Sequence, residues 1–157
     1  MQLLLKPNGW TCLATSFAMA LDVSYKELFA RIGHDGSQIL AQYCDPYQRR
    51  GHHIQECIEA ALTLGYSVTP VELFPVLSSP IWGNHVVEFD CNWERFERHA
   101  HENRGVITGA GVSCGHAVAF DRGHVYDPDG WVYAFSKERC EQRRFYPQCL
   151  WIVREVE

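Results

Sequence analysis

The run from Cys12 to Leu21, Cys-Leu-Ala-Thr-Ser-Phe-Ala-Met-Ala-Leu, carries no charge and is apolar or small almost all round. A helix of that make-up has no wet face to offer, so it must be buried on several sides and the rest of the chain must cover it. Lys6-Pro7-Asn8-Gly9 is a strong turn signal just before the run, and Thr11 is placed to cap its first turn. The predicted start is therefore extended over residues 1–10, then a turn, then a central helix from Cys12 to about Leu21.

The remaining elements supply the cover. Ser24, with Glu27 three residues on, opens a second helix whose apolar face is Leu28, Phe29 and Ile32 and whose stop is Gly33. A third helix runs from about His53 to Leu64, with Ile54, Cys57, Ile58, Ala61 and Leu62 on one face and Gly65 behind it. Residues 34–51 and 75–92 read as largely irregular. Between them, Tyr66 to Phe74 is rich in strand formers, and Pro70 places that strand at an edge or bulge. Asn92 caps a charged helix from Trp93 to about Glu102 that turns Trp93, Phe96 and Ala100 inward. After Gly105 comes Val-Ile-Thr-Gly-Ala-Gly-Val, a strand whose glycines let another backbone come close. Strands over Trp131 to Phe135 and Cys149 to Val156 flank a helical turn from Ser136 to Arg143. Helices first and an antiparallel sheet second is the α+β pattern, and 157 residues with no linker or repeat read as one domain, 1–157.

One hairpin stands out. Gly115-His-Ala-Val-Ala-Phe-Asp121 is an apolar strand with a histidine at its head, and Asp121-Arg122-Gly123-His124 turns it into a second strand ending in Asp127-Pro128. With Arg122-Gly123 at the centre of a two-residue turn, Asp121 pairs with His124 and Phe120 with Val125. His116, Val118, Phe120, Val125 and Asp127 then share one face, and His116 and Asp127 are diagonal neighbours ~7 Å apart at the backbone. A carboxylate there can orient an imidazole.

Cys12 sits in the first turn of the charge-free helix, where unpaired N–H groups and the helix dipole favour a thiolate. A thiolate beside an imidazole held by a carboxylate is an activated nucleophile. The Cys-headed helix, the Gly-His-Ala-Val strand and the Val-Tyr-Asp-Pro strand, in that order, resemble the papain-like cysteine peptidase superfamily, and most of all its C39-like group. The resemblance implies a papain-like fold, a Cys12 nucleophile, a His116 general base and an orienting Asp127. It also implies a peptide or protein substrate and no cofactor. That group places a glutamine for the oxyanion six residues before the cysteine, where this chain has Lys6. Asn8 or Gln2 has the amide chemistry to replace it, Asn8 being equally suited to the turn.

Other polar clusters have plainer explanations. His34-Asp35-Gly36 is loop chemistry after a helix, able to line a cleft; Trp10 either walls that cleft or anchors the helix. Cys114 reads as a strand-edge core residue, and His124 as exposed. Seven cysteines in no regular framework and with no CxxC point to reduced thiols. Cys44, His52, His53 and Cys57 match no zinc spacing, so no metal site is expected. A net charge of −5 gives no sign of a basic nucleic-acid surface, so no nucleic-acid partner is expected, and it mildly favours a basic or neutral substrate. Met1 to Leu5 is too short for a signal segment or a membrane span, which leads to the expectation of a soluble, cytoplasmic protein with no membrane partner. Three activities fit these residues: hydrolysis of an amide, peptide or isopeptide bond, acyl transfer by the same triad, or recognition alone by a catalytically impaired domain. Oligomeric state is left open.

Overall fold

The charge-free run forms α1 (Cys12–Leu21), and all of its residues from Ala14 onward are buried. The computed structural model describes residues 1–43, 48–74, 76–78, 86–88 and 93–157. Two helices, α2 (Tyr25–Ile32) and α3 (Ile54–Thr63), pack against α1. The strands are β1 (Ile39–Ala41), β2 (Gln48–Arg49), β3 (Tyr66–Glu72), β4 (Val76–Ser78), β5 (Val86–Glu88), β6 (Arg104–Ala110), β7 (Gly115–Asp121), β8 (His124–Asp127), β9 (Trp131–Ala134) and β10 (Tyr146–Glu155). Helices α4 (Trp93–Glu102) and α5 (Lys137–Gln142) precede β6 and β10. An antiparallel sheet of order β3-β10-β6-β7-β8-β9 is the body onto which the helices pack.

Alternation along the strands divides the core in two. Val106 and Ala117 join Phe17, Leu21, Leu28 and Cys57 in a core built on α1, α2 and α3. Their strand neighbours Ile107 and Val118 join Phe96, Phe120, Val125 and Leu150 in a second core. Burying Phe17, Met19 and Leu21, each at most 2% exposed, contributes about 1.5–3 kcal/mol per side chain, which is what holds α1 to the sheet. The glycines of β6 serve close approach as expected: a Cβ on Gly105 would collide with the Trp151 carbonyl, and one on Gly109 with the Tyr146 carbonyl.

Several expectations need correction. Residues 34–51 hold a small antiparallel ribbon, β1 with β2, and the irregular stretch after residue 75 contains another, β4 with β5. The last strand begins at Tyr146, not Cys149, and passes through Pro147. Proline has no N–H for the ladder, and the register with β6 shifts between Pro147 and Cys149 to absorb it. The Asn92 cap lies outside the described residues. Pro70 does fall in the edge strand β3. Among the described residues no helix is long and apolar enough to cross a membrane.

One buried hydrogen bond fixes α1 lengthwise against the sheet. The Ser16 hydroxyl donates to the Ala117 carbonyl at 3.0 Å, one helical turn below Cys12 and next to His116. Ser16→Ala leaves that carbonyl short of a partner and should lower stability to urea by about 1–2 kcal/mol. It should also slow alkylation of Cys12. Loss of stability with an unchanged alkylation rate would reduce Ser16 to a packing role.

Candidate active site

The turn before α1 closes on itself. Asn8 Oδ1 accepts the Trp10 N–H at 3.3 Å, and the fully buried Thr11 gives its hydroxyl back to the Asn8 carbonyl at 3.2 Å. Thr11 therefore does not make the cap its position suggested, and α1 has no side-chain cap and no acidic residue in its first turn. Its free N–H groups and positive dipole end act at Cys12 undiminished.

The other half of the site comes from the hairpin. Asp121 pairs with His124 and Phe120 with Val125. Arg122 (φ 45°) and Gly123 (φ 83°) both take the left-handed conformation that a tight two-residue turn requires. His116 stands opposite Gly109 on β6, and its ring lies edge-on to Phe145 with centroids 5.7 Å apart. Its Nε2 is 3.0 Å from Asp127 Oδ1. Asp127 is 7% exposed, and its Oδ1 also accepts the Asp129 N–H at 2.9 Å. The same Asp-Pro-Asp-Gly turn closes with Gly130 N–H on the Asp127 carbonyl at 2.8 Å. The carboxylate is thus aimed by its own turn before the imidazole meets it.

His116 also interacts with the Cys12 thiol, and each shifts the other's proton affinity. With Nε2 engaged by Asp127, Nδ1 is the nitrogen left for the thiol. Cys12, His116 and Asp127, far apart in the chain, therefore lie in one connected line. Burial alone would raise the Cys12 pKa. The His116 hydrogen bond and charge, the Ala117 backbone N–H and the Lys6 charge together bring it below the ordinary thiol value. Burial likewise opposes charge on His116, but its hydrogen bonds to Asp127 and Cys12, backed by both their charges, push it up to about 10. The two groups thus shift each other toward thiolate and imidazolium. Cys57 and Cys140, by contrast, are each pushed up to about 12, chiefly by burial.

Lys6 proves to be part of the site. Its N–H donates to the Pro128 carbonyl at 3.0 Å and its ammonium pairs with Asp129 at 2.5 Å. Asp129 Oδ2 lies 3.9 Å from His116 Nε2, so Lys6 neutralises a second carboxylate beside the imidazole. In the sequence Lys6 stands out only as part of a turn and as the residue where a glutamine is expected. Phe145 and Ser16 carried no signal at all, because their roles come from long-range packing. Among the described residues, His116, Asp127 and Asp129 are the one group that brings three metal-ligating atoms within 4.8 Å. Their atoms already serve one another, Lys6 and the Asp129 amide.

The remaining candidates fall elsewhere. His34 Nε2 meets Glu56 Oε1 at 3.0 Å, its Nδ1 accepts the Gly36 N–H, and its ring stacks on His52 with centroids 5.1 Å apart. His53 caps α3, and Cys57 is buried beneath it, so those residues converge on no shared ligand point. Cys44 lies outside the described residues. Trp10 Nε1 donates to the Asp35 carbonyl at 3.3 Å, and Arg49 lies over its ring, which ties the turn before Cys12 to the 34–37 loop. His124 is exposed as expected. Cys114 is exposed rather than part of the core, since the Gly111 N–H to Cys114 carbonyl bond turns the chain outward before β7 begins.

No family model and no curated protein matches the sequence. Among solved structures the chain is similar to a double glycine motif protease from an AMS/PCAT transporter, crystallised in complex with the leader peptide. The two superimpose with a TM-score of 0.53 at 15% identity, over 99% of this chain and 91% of that one. The likeness is one of fold: N-terminal helices packed on a C-terminal antiparallel sheet, the papain-like peptidase architecture.

Proposed function

We propose that the chain is a thiol-dependent hydrolase that cleaves an amide, peptide or isopeptide bond through Cys12, His116 and Asp127. The observation that carries this reading is the His116 imidazole set between the Cys12 thiol, which it biases toward thiolate, and a carboxylate fixed by its own turn. The thiolate adds to the carbonyl carbon and the carbonyl oxygen becomes an oxyanion. The Cys12 backbone N–H at the uncapped helix start and the Asn8 amide donate to it. Asn8 Oδ1 is held by Trp10, which leaves its Nδ2 as the donating end. His116 gives its proton to the departing amine as the carbon–nitrogen bond breaks, leaving a Cys12 thioester. Water then attacks the thioester while His116 takes its proton, and the acid leaves as the thiolate returns. An amine in place of water gives acyl transfer by the same steps. A peptide substrate is supported by the leader peptide held by the structurally similar protease. Lys6 in place of an amide side chain favours, as the second reading, a domain that binds a peptide without turning it over.

Alkylation tests the first reading. Iodoacetamide near neutral pH should modify Cys12 at least about tenfold faster than Cys57, Cys140 or Cys149, and mass mapping identifies the site. Cys114→Ser removes the exposed thiol that would otherwise compete for reagent. A Cys12 no more reactive than the buried cysteines would end the enzyme reading.

A further inference from the structure

A cavity of about 490 Å³ opens on the imidazole side of the site, within the range of small-ligand sites. Its lining includes His116 and Asp127 but not Cys12. Its charged groups are unevenly committed. Asp127 is taken by His116 and the Asp129 amide, and Asp129 by Lys6. Arg143 and Arg144 also line the cavity, and among the described residues neither guanidinium makes an ion pair or hydrogen bond. The Arg143 guanidinium lies over the Trp131 ring at 4.2 Å and near Tyr133 at 5.8 Å. Stacking holds the planar group in place while leaving its N–H donors at the rim free, which is the geometry that grips a carboxylate with two parallel hydrogen bonds. The local charge is opposite to the chain's net −5.

We infer that this cavity binds a carboxylate on the leaving-group side of the substrate. The side follows from the proposed reaction: His116 faces both the cavity and the departing amine, so a group seated there hangs from the amine half. That assignment rests on the Cys12–His116–Asp127 reading, whereas anion binding itself does not. Two sources can present this chemistry, an acidic side chain next to the scissile bond or a free peptide C-terminus.

Both questions can be put to the full-length Cys12→Ala protein by calorimetric titration with three dipeptides. Glycyl-glutamate amide carries a side-chain carboxylate, glycyl-glutamine a terminal one, and glycyl-glutamine amide neither. At least one acidic dipeptide should bind about tenfold tighter than the neutral one, and which of them does so identifies the source. Arg143→Gln with Arg144→Gln should bring the ratio to near one, and Arg143→Lys should give an intermediate value because the charge stays and the planar fork is lost. Equal binding of all three, or a preference that survives the double substitution, would overturn the inference. With wild-type protein acylated by p-nitrophenyl acetate, the preferred dipeptide should also be the better acyl acceptor. If no acyl group is taken up while the binding preference stands, the failure lies with the catalytic reading and not with the anion site.

Discussion

Cys12→Ala is expected to abolish the p-nitrophenol burst from p-nitrophenyl acetate and to lower steady hydrolysis by about 10⁴-fold or more. Its stability to urea should move by less than about 1 kcal/mol. Alanine suits the first turn of a helix, and the lost sulfur is a single atom at a half-buried position. The charge on His116 keeps its main support, since Asp127 still accepts from Nε2. His116→Ala should lower the rate about as far but behave differently in stability. It strands the Asp127 carboxylate, 7% exposed, with only the Asp129 amide as partner, at a cost on the order of 3 kcal/mol. Because the two residues act as one unit, the double variant should be no slower than either single one. A burst that survives Cys12→Ala and disappears in Cys114→Ser would move the chemistry to the exposed thiol.

Much of the site could be read from local chemistry. The run of ten residues without charge has one stable place, inside, and α1 is buried from Ala14 onward. Arg122-Gly123 demands left-handed backbone at both positions, which sets the register of β7 with β8, and that register puts His116 and Asp127 on the same face. What stayed hidden depends on partners distant in sequence or on competition between local bonds. Thr11 has the right chemistry for a cap, yet its hydroxyl finds the Asn8 carbonyl first, a choice that no capping preference encodes. Lys6 becomes a site residue only because the extended start of the chain runs beside the Asp127–Gly130 turn, 120 or so residues later in sequence order by ordinary long-range packing. Strands of two or three residues, such as β1 and β2, are too short to show a period.

Asp127→Asn separates what the carboxylate does by charge from what it does by shape. In the native site both the His116 ring and the Asp129 N–H use the same oxygen, Oδ1. An asparagine that keeps its carbonyl oxygen there satisfies both donors, so the imidazole keeps its orientation and its tautomer while the negative charge is lost. The expected result is a loss of about 10- to 100-fold in turnover at neutral pH, against about 10³-fold or more for Asp127→Ala, which removes the acceptor as well. The pH dependence gives the sharper reading. The wild-type rate should fall on the alkaline side as His116 loses its proton near pH 10, and Asp127→Asn should move that limb toward neutrality. Stability must follow with a defined sign. A histidine raised from 6.5 to about 10 stabilises the fold fully below 6.5 and loses that contribution as pH rises through about 10. The melting temperature of the wild type should therefore exceed that of Asp127→Asn most at about pH 6, and the gap should close above pH 10. A gap that stays constant across this range, with an unmoved alkaline limb, would show that Asp127 only packs against His116 and does not hold its charge.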